Sequence, residues 1–147
     1  MIIVSACLLG VNCKYSGQNN EVKDILKFID KEEIVLVCPE QLGGLTTPRP
    51  PAEIDESGTV ITKNGTDVTK EFIKGAEETL KIAKIYNVNS AILKKNSPSC
   101  GFGEIYNGTF QGVKKCGNGI TAELLNKNNI KIYNEENFKE MFSEPLE

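Results

Sequence analysis

One run in which every side chain is apolar, IVLVC at residues 34–38, constrains the fold of this chain more than any other stretch. Such a run is typical of a parallel strand that is covered on both faces, and the proline that follows it ends the strand. The N-terminal run IIVSACL has the same β-branched character, and residues 21–30 between the two runs place apolar side chains at helical spacing. This order of strand, helix and strand predicts a βαβ unit.

The alternation of strands and helices continues along the chain. Residues 69–86 form a predicted amphipathic helix, and its apolar face consists of Phe72, Ile73, Ala76, Leu80 and Ala83. The later segments SAILKK, ITAELLNKN, KIYN and ENFKEMF predict strand, helix, strand and helix. The pattern predicts an α/β, three-layer sandwich with a mostly parallel, Rossmann-like sheet. The length of 147 residues, without repeats or a low-complexity linker, predicts a single domain over residues 1–147.

Two connecting segments are rich in turn-forming residues. Residues 41–54, QLGGLTTPRPPAEI, predict a long irregular loop, and loops of this length are often functional. The following run TVITKNGTDVT predicts a small hairpin around Asn64-Gly65. Residues 97–119 are again rich in glycine, and Gly117 and Gly119 precede a predicted helix whose N-terminus is a candidate anion site.

The composition excludes several classes of function. The chain has no histidine, so a Ser/His/Asp triad, a Cys/His nucleophile pair and a histidine metal site are impossible. The net charge is -3 and the lysines are scattered, which predicts no charge-driven binding of duplex nucleic acid. No apolar run reaches the roughly 18 residues of a membrane span, and the N-terminal run lacks a basic leader and a cleavage site. We therefore expect a cytoplasmic protein that does not bind a membrane.

Three of the five cysteines fall where predicted parallel strands end. Cys7 closes the first strand, Cys38 closes the second, and Cys100 follows the strand SAILKK. Because the carboxyl ends of parallel strands share one edge of a sheet, these thiols are predicted to converge. Three thiolates form a soft site for zinc, copper(I) or an iron–sulfur cluster, with one position left open. The alternative is that Cys7 and Cys38 are small apolar core residues, because free cysteine is often buried.

The other two cysteines are less constrained by their positions. Cys13 lies six residues after Cys7, in the turn VNCKYSG, and is a candidate fourth ligand, a sulfur relay or a bystander. Cys116 follows two lysines, which would lower its pKa if their ammonium groups lie close to the thiol.

Polar residues beside these cysteines are candidates for acid–base chemistry and substrate binding. Glu40, two positions after Cys38, is a candidate for proton transfer at a partly dry sheet edge, and its alternative is a solvated loop glutamate. Lys95, Ser97 and Ser99 border Cys100 and are candidates for binding a polar substrate.

Three motifs make the chain similar to a known family. They are VSACLLG with NCKYSG, CPEQLGGLTTPRPPAEI, and LKKNSPSCG. Together they resemble a bacterial and archaeal family, long described as a domain of unknown function, that includes thiouracil desulfurase. The similarity extends through DVTKEFIKGAE and GNGITAELL, so it covers nearly the whole chain.

The resemblance implies a [4Fe-4S] enzyme that removes sulfur from a small thiolated base without net electron transfer, as in the conversion of thiouracil to uracil. By position in the motifs, Cys7, Cys38 and Cys100 would hold the cluster, leaving one iron free for the substrate sulfur. Glu40 would be the catalytic acid/base, and Ser97 would lie beside the substrate. Two alternatives stay open, namely a structural zinc- or thiol-binding module and a sulfur-trafficking protein.

Overall fold

Strands and helices alternate along residues 1–142, the part of the chain that the computed structural model describes. The strands are β1 (Ile2–Ser5), β2 (Ile34–Val37), β3 (Ala52–Ile54), β4 (Val60–Thr62), β5 (Ser90–Ile92), β6 (Glu104–Tyr106), β7 (Lys114–Cys116) and β8 (Lys131–Tyr133). The α-helices are α1 (Ile25–Phe28), α2 (Pro39–Leu42), α3 (Thr69–Ile85) and α4 (Ile120–Lys127). Short 3-10 helices cover Ala6–Leu9, Lys31–Glu33 and Phe138–Phe142. Within residues 1–142, no helix combines the length and the apolar character needed to cross a membrane.

The central sheet has four parallel strands in the order β2-β1-β5-β8. Neighbouring residues of each strand point to opposite faces, as a pleated strand requires. Thus Ile3 packs with α3 and α4 on one face, whereas Val4 packs with α1 and the 3-10 segment at 138–142 on the other. Both side chains are fully buried. The sheet therefore lies between two layers of helices, and the predicted α/β fold with a parallel sheet is confirmed.

Two details of the predicted core are wrong. The run at 34–38 was expected to be covered on both faces, but β2 is an edge strand of the sheet, and Leu36 is 44% exposed. The predicted helix α3 is present, but Ile73 is 45% exposed while its neighbour Phe72 is buried. In both places the local pattern is apolar, but β2 lies at the edge of the sheet and Ile73 lies on the side of α3 that faces solvent.

Two small antiparallel ribbons flank the sheet. The turn at Asn64-Gly65 forms as predicted, with the Gly65 amide donating to the Thr62 carbonyl, but it closes only a single bridge between Ile61 and Asp67. Strand β4 pairs instead with β3, which lies in the segment predicted to be an irregular loop. The second ribbon, β6 with β7, lies in the glycine-rich segment at 97–119.

Helix α2 crosses α3 at two glycines, with the backbones in contact. A Cβ atom added to Gly75 would lie 2.0 Å from the carbonyl oxygen of Pro39, and one added to Gly43 would lie 2.0 Å from the carbonyl oxygen of Glu71. No other residue type fits at such a distance. Because α2 begins directly after Cys38, this crossing determines where that cysteine and Glu40 lie.

Candidate active site

Three thiols from three different strands line one cavity of about 620 Å³. Cys7 lies in the 3-10 helix that follows β1, Cys38 lies between β2 and α2, and Cys100 lies in the loop after β5. All three leave the sheet at the carboxyl edge, which is where ligands bind in open parallel sheets. Cys13 lines the same cavity, whereas Cys116 is exposed in β7 and lies outside the lining.

Cys13 lies between Cys7 and Cys38 and is only 2% exposed. Hydrogen bonding with the Cys13 thiol is the main reason that the pKa of Cys7 falls to about 7 and that of Cys38 to about 6, although the single proton of Cys13 can be donated to one of the two sulfurs at a time. Asn20 also donates to the Cys7 sulfur, at 3.4 Å. The pKa of Cys13 rises above its ordinary value, because its hydrogen bonds with Cys38 and Cys7 favour the protonated thiol. Whichever of Cys7 and Cys38 accepts the Cys13 proton is therefore the thiol of this group that ionises most readily.

Cys100 has a different environment. It is buried, and burial raises its pKa to about 12. Its sulfur accepts a hydrogen bond from the Ser5 hydroxyl at 3.3 Å, and the Ser5 oxygen itself accepts from the Lys94 amide at 3.0 Å. A thiol in this position needs a bound cation or metal to ionise at neutral pH.

The N-terminus of α4 holds the loop that carries Cys100. The amides of Thr121 and Ala122 both donate to the Ser99 carbonyl, at 2.9 Å and 3.0 Å, and the Gly119 amide donates to Gly101 at 2.7 Å. The predicted anion site at this helix N-terminus is therefore wrong, since these donors are engaged by carbonyl groups of the protein. The contact also explains the glycine at 119, where a Cβ atom would lie 2.5 Å from the Ser99 carbonyl carbon.

The Glu40 carboxylate is held from two sides at the cavity wall. Arg49 Nε donates to Oε1 at 3.0 Å, and Ser99 Oγ donates to Oε2 at 3.1 Å. The Arg49 side chain is 6% exposed, and its Nη2 also donates to the Cys13 carbonyl at 2.9 Å. Sequence reasoning missed Arg49. The sequence offered one indication of its role, a single arginine between two prolines in the loop that was predicted to be functional.

Ser97 and Lys95 lie on the same wall with different partners. Ser97 Oγ accepts from the amides of Ser99 and Cys100, at 3.1 Å and 2.9 Å, and lies 3.0 Å from Ser99 Oγ. Lys95 forms an ion pair with Glu136. The structure thus brings Ser97 and Ser99 into contact with each other and places them next to Glu40, while Lys95 is engaged by an acidic partner.

The cysteine sulfur atoms that line the cavity are suitable ligands for an iron–sulfur cluster. Thiolates are the ligands of iron–sulfur clusters, and the three cysteines reach the cavity from the segments that follow three parallel strands. Among the side chains of residues 1–142, no set of three or more His, Cys, Asp or Glu is arranged to hold a single metal ion. The fit to a cluster rests on the donor chemistry and on the shared cavity.

Comparison with known proteins places the chain among close relatives. The family model of 2-thiouracil desulfurase matches residues 2–137. An uncharacterized protein of Bacillus subtilis (strain 168), YbbK, is 43% identical over 150 residues, which cover 96% of this chain and 99% of YbbK. A solved structure described as the [4Fe-4S]-dependent thiouracil desulfidase TudS is also 43% identical. It superposes with a TM-score of 0.89 over 97% of this chain and 95% of TudS.

Proposed function

The chain belongs to the 2-thiouracil desulfurase family, and we propose from this membership that it is a [4Fe-4S]-dependent enzyme that removes sulfur from a thiolated base such as thiouracil. The family expected from the sequence motifs is confirmed, and the description of TudS agrees with the predicted enzyme class and cofactor. The observation that carries the proposal is the convergence of three thiols with Glu40 and Ser97 around one cavity.

The reaction is a hydrolysis without net electron transfer. The carbon of the thiocarbonyl group exchanges its sulfur for the oxygen of water, and the sulfur leaves as hydrogen sulfide. A base with one C=S group and one water molecule therefore yields one C=O group and one H₂S, so the reaction needs no reductant.

Cys7, Cys38 and Cys100 are the residues that would hold the cluster. Support comes from their positions at three strand ends and from the donors that face two of the sulfurs, Asn20 at Cys7 and Ser5 at Cys100. When bound through three thiolates, a [4Fe-4S] cluster supplies an iron without a protein ligand, which can act as a Lewis acid toward the substrate sulfur.

Glu40 is the residue that would move protons. Its side chain is 17% exposed at the cavity wall, and each carboxylate oxygen accepts one hydrogen bond from the protein. A carboxylate oxygen has capacity for a second hydrogen bond, so Glu40 can accept a proton from water and return it to the ring or to the leaving sulfur. Arg49 keeps the carboxylate at the wall and away from bulk solvent.

Ser97 would orient the base. Its oxygen accepts from two backbone amides, which fills both of its lone pairs, so its single proton is its one remaining hydrogen-bonding group. In the free protein this proton points to Ser99 Oγ, 3.0 Å away, and rotation about the C–O bond would turn it to a bound substrate. A donor on the cavity wall suits the exocyclic oxygen of a base such as thiouracil, which accepts hydrogen bonds, whereas the ring N–H groups of that base donate.

The proposal is tested by purifying the protein without oxygen, reconstituting it with iron and sulfide, and measuring bound iron, acid-labile sulfide and zinc per chain. We expect about four irons and about four sulfides per chain, and release of uracil and sulfide from thiouracil. Zinc alone would favour a structural module. A full cluster without turnover of the free base would favour a sulfur-trafficking role, and either result would contradict the proposal.

A further inference from the structure

Ser99 joins the two polar residues of the cavity wall. Its hydroxyl oxygen lies 3.0 Å from Ser97 Oγ and 3.1 Å from Glu40 Oε2, although Glu40 is 59 residues away in sequence. Ser99 is 2% exposed, so solvent does not compete for these contacts. Its hydroxyl also lies 3.6 Å from the sulfur of Cys100.

The direction of the hydrogen bonds follows from the number of donors. Ser97 Oγ already accepts from two backbone amides, so its own proton points to Ser99 Oγ. A hydroxyl group has one proton, and a carboxylate can only accept, so Ser99 donates its proton to Glu40 Oε2. The series of hydrogen bonds therefore runs from Ser97 through Ser99 to Glu40. Its second bond is the stronger one, because its acceptor is a charged carboxylate.

The Glu40 carboxylate needs the contact with Ser99 because its terminal torsion does not determine its orientation. The terminal torsion of a glutamate side chain is broad and has no deep rotamer well. Glu40 lies in α2, a helix of a single turn, and Arg49 reaches only Oε1. With one oxygen held, the carboxylate can still turn about that contact, whereas two contacts from two different loops determine its plane.

We propose that Ser99 is a positioning residue that orients the Glu40 carboxylate toward the substrate, and this inference rests on the proposed function of Glu40. Displacing a reacting group by about 1 Å can cost about 100-fold in rate. Removing the Ser99 hydroxyl should therefore lower kcat about 10- to 100-fold while KM changes less than about threefold, because the substrate contacts remain.

The test compares Ser99→Ala with Ser57→Ala in the reconstituted protein. Ser57 is a matched control, since its hydroxyl also donates to a carboxylate, that of Asp55, at 2.9 Å, but away from the cavity. Iron and sulfide per chain should equal those of the wild type in both variants. We expect the loss of kcat in Ser99→Ala only, and a wild-type kcat in that variant would overturn the inference.

Repeating the Ser99→Ala substitution in a Glu40 variant distinguishes an effect of Ser99 on Glu40 from an effect on Cys100. Glu40→Asp keeps a carboxylate but shortens the side chain, so it removes the contact with Ser99. If Ser99 acts through Glu40, then Ser99→Ala should cost less than about threefold in kcat in the Glu40→Asp background. The same fold loss in both backgrounds would show that Ser99 acts elsewhere and would overturn the inference.

The contact itself is tested on the cluster-free protein, independently of any reaction. The melting temperatures of Ser99→Ala, Glu40→Asp and the double variant should show that the two single losses do not add. Additive losses would overturn the inference even if thiouracil is not turned over. Inactivity of the reconstituted wild type would contradict the proposed function and leave this thermal cycle to decide whether Ser99 holds Glu40.

Discussion

The crossing of α2 and α3 predicts that Gly75→Ala disturbs the site from a distance. The added methyl group would lie 2.0 Å from the carbonyl oxygen of Pro39 and 2.8 Å from its carbonyl carbon. Both atoms belong to the backbone, so no side-chain rotation relieves the contact. The helices must separate by roughly 1.4 Å to reach the 3.4 Å of an ordinary contact. Cys38 and Glu40 are attached to the element that moves.

Two opposing effects determine the change in the free energy of unfolding. Alanine is favoured over glycine in a helix interior by about 1 kcal/mol. Overpacking of a core costs about 1–3 kcal/mol, and a clash between two backbones belongs at the upper end. The net loss is about 2 kcal/mol, which lowers the melting temperature of a chain of this length by about 4–8 °C.

The assay is urea unfolding of the cluster-free protein, followed by the iron content after reconstitution. Lys74→Ala is the control, because Lys74 is exposed on the same helix and should change the free energy of unfolding by less than about 0.5 kcal/mol. We expect Gly75→Ala to be less stable and to retain less iron. A variant as stable as the wild type, with full iron content, would refute the close approach of α2 and α3.

Further predictions concern the cluster, the carboxylate and the fold. Cluster retention, measured as iron and acid-labile sulfide, should survive Cys13→Ser and be lost on replacement by serine of Cys7, Cys38 or Cys100. Full retention in any of these three would contradict the ligand assignment. Glu40→Ala should keep the cluster and lose thiouracil turnover, and an active variant would exclude its role in proton transfer. Phe72→Ala should lower the free energy of unfolding by about 3–5 kcal/mol in urea, because the side chain is buried. Hydrogen bonds from Thr69 hold the pKa of Asp67 below its usual range. The ionised carboxylate therefore stabilises the fold fully above the unfolded pKa of about 4. This contribution is lost as the pH falls through the lower pKa of the folded state. The urea midpoints of Asp67→Asn and the wild type should therefore differ at neutral pH and converge in acid, and a constant difference would contradict this account.

Elements that lie in periodic or apolar runs were predictable, including β5 and β8 with three residues each, whereas three short strands in turn-rich segments were not. Helix α3 has 17 residues, enough for its apolar spacing to appear in the sequence, whereas β3, β6 and β7 have three residues each. A strand of three residues contains too few alternations for a period to be read, and β3, β6 and β7 lack the apolar runs that marked β5 and β8. Its stability comes from pairing with a partner strand. The single domain, the cytoplasmic location and the absence of duplex nucleic acid binding stay predictions.

The sequence by itself determined that Cys7, Cys38 and Cys100 leave the sheet at one edge, because apolar runs separated by helices form parallel strands whose carboxyl ends lie together. Only the tertiary structure decided what surrounds those thiols. Contacts across 36 residues bring Arg49 to the Cys13 carbonyl, and contacts across 59 residues bring Ser99 to Glu40. These contacts are made by irregular loops, and the path of a loop depends on the elements it packs against, so no spacing in the chain encodes it.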